Sequence, residues 1–127
     1  MSLLLDTHLV LWWMSGSRGI GPRSRAMLES HAVKYCSAAS IWEMALKRSK
    51  GKLSVKDGFQ DEITAMGMAH LPVEARHAAA VGDVTLPHRD PFDQLLVAQA
   101  QVDGLRLLTA DATILAAELP FVVNART

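Results

Sequence analysis

Asp6, Glu43, Asp93 and Asp111 are carboxylic acids set at comparable places in the pattern of this 127-residue chain. Asp6 ends the apolar run Leu3, Leu4, Leu5, and Asp111 follows the run Leu107, Leu108 by a few residues. Glu43 lies about one turn into the helical pattern that follows a second apolar segment, and Asp93 lies in the first turn of another. In open α/β sheets the side chains at strand carboxyl ends and at the following helix starts converge on one crevice, so the four could share one mouth. Carboxylates gathered there oppose one another's ionisation. A hard cation reverses that, because Mg²⁺ or Mn²⁺ prefers oxygen ligands and is commonly held by a few carboxylates together with substrate phosphates. The chemistry such a group supports is phosphodiester cleavage, in which metal-activated water attacks phosphorus while the cation neutralises the phosphoryl oxygens and the leaving group.

Each acid also has a plainer role open to it. Asp93 in a first turn compensates the helix dipole, and Asp111 can cap the last helix. Asp90, immediately before Pro91, fits capping best and is otherwise a candidate support for the site. Asp6 has the strongest claim, since an unpaired charge at the end of an apolar strand is costly to bury. Lys47, Arg48, Lys50 and Lys52 cluster at the end of the Glu43 helix, where they can draw a substrate backbone towards the acids or merely complement the helix dipole. Lys47 is four residues after Glu43 and shares its face, so it can pair with that acid or contact a scissile phosphate. Arg89 has a similar claim through its closeness to Asp93. Five histidines, His8, His31, His70, His77 and His88, show no helix-face pair at ligand spacing, and none is assigned to metal. Trp12, Trp13 and Trp42 could stack bases, but core or interface packing suits them better, with one of the adjacent pair exposed.

The elements that must position these groups alternate. Residues 2–5 form a strand, 7–14 a short helix, and Pro22 opens a helix running to about residue 31. A second strand follows at 32–36, and Ser37 caps a helix from about 39 to 49 whose inner face carries Ile41, Ala45 and Leu46. Apolar spacing over residues 55–68 predicts an amphipathic helix despite Gly58 and Gly67. A minimal strand at 70–72, a helix at 74–81, a proline-marked loop at 85–91 and a helix from Phe92 to Gly104 come next. The strand 105–108 reaches Thr109, and a helix at 112–118 and a strand at 121–123 close the series. This alternation predicts an α/β fold, a central mainly parallel sheet flanked by helices in three layers.

The length suits a single domain spanning residues 1–127. The 13 basic and 13 acidic residues cancel, which excludes a global positive field, so any nucleic-acid contact must be local. One cysteine excludes an internal disulfide and paired-cysteine zinc, and favours a reducing, cytoplasmic setting. The apolar N-terminal stretch carries Asp6 and His8 and no basic leader, so it reads as neither signal peptide nor membrane span.

LLLDTH at residues 3–8, SAASIWEMALK at 37–47, HRDPFDQLLVAQA at 88–100 and LLTAD at 107–111 together resemble the successive motifs of PIN domains, and more narrowly of VapC-type toxins of toxin–antitoxin pairs. The blocks are in family order over nearly the whole chain. The resemblance implies that Asp6, Glu43, Asp93 and Asp111 are the metal ligands in turn, with Thr7 and Thr109 in support. It further implies Mg²⁺- or Mn²⁺-dependent cleavage of an RNA substrate, a homodimer, and inhibition by a cognate antitoxin that masks the site. Two other readings compete. A phosphoryl-transfer or receiver-like domain also collects acids at strand ends, but Thr7 and His8 replace the second aspartate of the haloacid-dehalogenase pattern and no strand-end lysine follows. A PIN fold kept as a binding module without turnover is the other.

Overall fold

The computed structural model describes residues 2–30, 32–87 and 90–127; His31, His88 and Arg89 lie outside them, and with them the expectation for Arg89. In chain order the elements are β1 (Ser2–Leu5), α1 (Thr7–Ser15), α2 (Pro22–Glu29), β2 (Val33–Ser37), α3 (Ala38–Ser49), α4 (Phe59–Ala65), β3 (Met68–Leu71), α5 (Ala75–Ala80), a 3₁₀ turn (Val81–Asp83), α6 (Pro91–Asp103), β4 (Arg106–Thr109), α7 (Ala112–Ala116) and β5 (Val122–Asn124). The strands form one sheet of order β3-β2-β1-β4-β5 in which every pairing is parallel. That is the alternation expected, because parallel neighbours need a crossover, usually helical, between them.

Side chains alternate across β1 and divide the core in two. Leu3 and Leu5 pack with Leu9, Val10, Leu28, Cys36, Met44, Ile63 and Leu108 on one face. Leu4 packs with Leu96, Val97, Ala100, Leu107 and Ile114 on the other. Leu3, Leu4 and Leu5 are fully buried, each worth roughly 1.5–3 kcal/mol of apolar transfer, which fixes β1 in mid-sheet. Burial pushes the Cys36 thiol up to about 12. Among the described residues no helix is long and apolar enough to cross a membrane.

Three local expectations are corrected. The helix predicted over 55–68 is only α4: Gly58 and Gly67 adopt positive φ, 76° and 84°, and end it on both sides. Val55 nonetheless packs on the core from the preceding loop, and Met68 starts β3, so the three- and four-residue apolar spacing reflected burial rather than one helix. On α3 the buried residues are Ala39, Ser40, Glu43 and Met44, while Ala45 is exposed, so the inner face is rotated towards Glu43. The last helix stops at Ala116, with Glu118 at φ 52° beyond it.

Candidate functional site

Parallel register brings the ends of β1, β2 and β4 to one edge. Leu5 pairs with Cys36 on one side and Leu108 on the other, so Asp6, Ser37 and Thr109 lie in line one residue on. Asp6 leaves the strand as the N-cap of α1; its backbone N–H still donates to Leu108 O at 3.1 Å, and its Oδ1 accepts from Leu9 N at 2.8 Å. Its other oxygen accepts a short hydrogen bond from the Thr109 hydroxyl, which in turn accepts from Asp111 N at 3.0 Å. Thr109 thus ties Asp6 to the backbone of Asp111.

Glu43 reaches the same edge from α3. The Thr7 hydroxyl donates to Glu43 Oε1 at 2.6 Å and lies 2.9 Å from Ser40 Oγ, so the residue next to Asp6 holds the second acid. Lys47 Nζ meets Glu43 Oε2 at 2.7 Å, the pairing that their four-residue spacing allowed. Asp6 and Glu43 are both nearly buried, at 4% and 7% exposure. Burial pushes the Asp6 carboxyl above the ordinary aspartate range and the charge of Asp111 adds to that, against the opposing effects of the Thr109 hydroxyl, the Leu9 amide and nearby His8. Among the described residues Asp6 has no ion-pair partner.

Asp93 and Asp111 are half-buried on the rim. Asp111 caps α7, its Oδ1 accepting from Thr113 N at 2.8 Å and Ile114 N at 3.0 Å, so the capping role open to it is filled. One oxygen of a capping carboxylate still leaves the other available. Asp90 caps α6 by accepting from Phe92 N and Asp93 N. Asp93 lies in the first turn of α6, and α6 approaches α3 where Phe92 meets Trp42 edge to face at 4.8 Å between ring centroids. Because Phe92 precedes Asp93 and Trp42 precedes Glu43, that contact puts the two acid-bearing turns side by side.

Among the described residues no three acids, cysteines or histidines are already closed to metal-ligating spacing. The donor set nevertheless suits a hard divalent ion: all-oxygen, two members buried, and one of these without a cation of its own. Arg48 is turned elsewhere, to an ion pair with the exposed Asp57. Of the tryptophans, Trp42 is 55% exposed, while Trp12 and Trp13 are both half-buried, so the expected exposed member of that pair is absent. Sequence reading missed Ser40, although it shares a face with Glu43 three residues on, and Gln99, which is fully buried, pairs with Ser37 Oγ, and donates to Pro72 O at 3.2 Å.

A profile of the PIN domain family matches residues 3–119. No curated protein matches the chain in sequence. Among solved structures the fold is similar to a toxin–antitoxin complex from Klebsiella pneumoniae, with TM-score 0.67, 18% identity and 98% of each chain covered. It is also similar to VapBC2 from Rickettsia felis bound to a DNA fragment from their promoter, with TM-score 0.66 and 14% identity over 97% of this chain and 96% of that one. A third likeness, to FitAcB from Neisseria gonorrhoeae, has TM-score 0.63 and 22% identity over 97% of each. At these identities the likeness is one of fold.

Proposed function

This chain belongs to the PIN domain family, and on that premise we propose that it is a Mg²⁺- or Mn²⁺-dependent endoribonuclease of the VapC type, the toxin of a toxin–antitoxin pair. The observation that carries the reading is Asp6: a nearly buried carboxylate without an ion-pair partner, raised in pKa by burial and by Asp111, at the carboxyl end of the central strand. Native proteins seldom bury such a group unless something charged completes it. Asp6, Glu43, Asp93 and Asp111 would hold the ion, which when bound lowers the pKa of water and neutralises charge on a phosphodiester.

The remaining work falls to the protein's own side chains. Thr109 and Thr7 fix the Asp6 and Glu43 carboxylates through hydrogen bonds, the kind of outer support whose loss typically costs 10–100-fold. Lys47 holds Glu43 while no other cation is present, and on exchange its ammonium is free to meet a substrate phosphate. Arg48 and Arg89 are proposed to contact the RNA backbone, which needs Arg48 to leave its exposed partner Asp57, at little cost for so accessible a pair. Asp90 acts on the site by capping the helix that presents Asp93. Masking by a cognate antitoxin, supported by the toxin–antitoxin complexes that share the fold, and homodimerisation, which rests on the family resemblance alone, complete the proposal.

The test is cleavage of a panel of structured RNAs in Mg²⁺ or Mn²⁺ by wild type, Asp6→Asn and Asp93→Asn. Cleavage that disappears with EDTA and with either substitution is expected. Cleavage indifferent to all three would overturn the assignment.

A further inference from the structure

His8, Trp12, Ala110, Asp111 and Arg126 line a hollow of about 190 Å³ beside the acids. It is smaller than the roughly 300–1,000 Å³ of pockets that enclose small-molecule ligands, and suits a single charged group. The Arg126 guanidinium lies over the Trp12 ring, 5.2 Å from its centroid. A guanidinium laid on an aromatic face keeps its N–H donors at its edge, where they match phosphate oxygens. Among the described residues this guanidinium has no carboxylate partner and no hydrogen bond.

The backbone that carries Arg126 is fixed on three sides. Ala125 N donates to Thr109 O at 2.8 Å, Gly21 N donates to Ala125 O at 2.8 Å, and Arg23 N donates to Thr127 O at 2.9 Å. The approach is so close that a Cβ on Gly21 would lie 2.3 Å from Arg126 O, which is why a glycine stands there. A cation held beside Asp111 by the same strand end that presents Thr109 is placed by the fold.

We propose that Arg126, seated on Trp12 and flanked by His8, is a phosphate-binding residue that takes the RNA phosphodiester next to the one cleaved. This rests on the ribonuclease reading and deepens it. With no net charge on the chain, RNA must be held by local cations, and this one lies just beyond β5 in the hollow with Asp111, whereas Lys47 lies on α3 against Glu43. The competing role, a cation that merely braces Trp12, predicts altered stability with unaltered ionic binding.

Binding of a short fluorescent single-stranded oligoribonucleotide in EDTA, measured across a salt series, separates the two. Arg126→Ala should weaken binding and lower the slope of log affinity against log salt by about 0.7, the loss of one phosphate contact, while Arg126→Lys keeps most of the slope. In Mn²⁺ the alanine variant should raise KM about tenfold with kcat within about twofold, as lost uniform binding does. An unchanged slope in Arg126→Ala, or equal slopes in both variants, overturns the subsite. If wild type binds RNA with salt dependence but cleaves none with either metal, the ribonuclease reading fails while the slopes still decide the subsite. If wild type shows no salt-dependent RNA binding, both fall.

Discussion

Two polar networks, each built around a buried side chain, are constructed on opposite principles. Between α5 and α6, fully buried His77 accepts from Glu74 N at its Nδ1 (3.0 Å), leaving Nε2 to meet Asp103 Oδ2 at 2.9 Å. Arg76 bridges Asp103 and Glu74, so every charge there has its complement within the network. At the ends of β1 and β4 the arrangement is lopsided: Asp6 is met by hydroxyl and amide donors and opposed by Asp111. A closed network serves stability. On the proposed reading, one left short of positive charge awaits a cation, and charge complement rather than burial is what sets the two apart.

The comparison can be broken most directly at Asp6. Asp6→Asn should cut RNA cleavage by more than about 100-fold, beyond what loss of a supporting residue costs, yet leave the unfolding midpoint in EDTA unchanged or raised. A variant destabilised in EDTA would put Asp6 in the structural class. His77→Ala should do the reverse, costing about 3 kcal/mol in denaturant unfolding because Asp103 loses its buried partner, with specific activity of the folded protein within about twofold of wild type.

A subtler effect is the pH dependence of stability. Asp6 has a folded pKa above its unfolded value of about 3.9, so the native state binds more protons than the unfolded state in the window between them. In EDTA this group's contribution to stability should therefore fall as pH rises through that window, by at most about 1.4 kcal/mol per pH unit. Chemical denaturation across pH should show this component in wild type and not in Asp6→Asn, and saturating Mg²⁺ should offset it. The smallest effect is expected at Lys47. Lys47→Met removes the cation competing for Glu43 and should tighten Mn²⁺ binding by calorimetry, by no more than about fivefold given the partial exposure of the pair. Weaker Mn²⁺ binding would make Lys47 a support of the metal rather than its stand-in.

Much of the site was legible because it lies where pattern changes. Apolar runs ending in Asp6 and Thr109 announce strand ends, and a parallel sheet gathers such ends on one edge. Ser37, Pro91 and Gly104 marked helix limits for local reasons, a cap, a fixed φ and a left-handed turn, and those limits hold. What escaped depends on the third dimension. Periodicity alone did not separate α4 from a core-facing loop, because Val55 packs on the core, half-buried, from irregular backbone. The inner face of α3 was misjudged because Glu43, a charged residue, occupies it, and the reason is the hydroxyl of Thr7, 36 residues away. Arg126 gave no signal, since only the stitching of residues 125–127 to β4 and Gly21 carries it to Trp12.

The place of β1 in the sheet has a consequence for synthesis on the ribosome. Of the five strands, the first in chain order is the central one, flanked by β2 and by β4, which lies about a hundred residues later. Asp6 is made early but acquires its Thr109 partner across a separation of 103 residues. Such distant pairings close late in folding, because loop entropy must be overcome before the contact forms. A chain made only as far as α6 would carry Asp6 and Glu43 without the edge that assembles them, so on the proposed reading the metal site stays incomplete until β4 has been added.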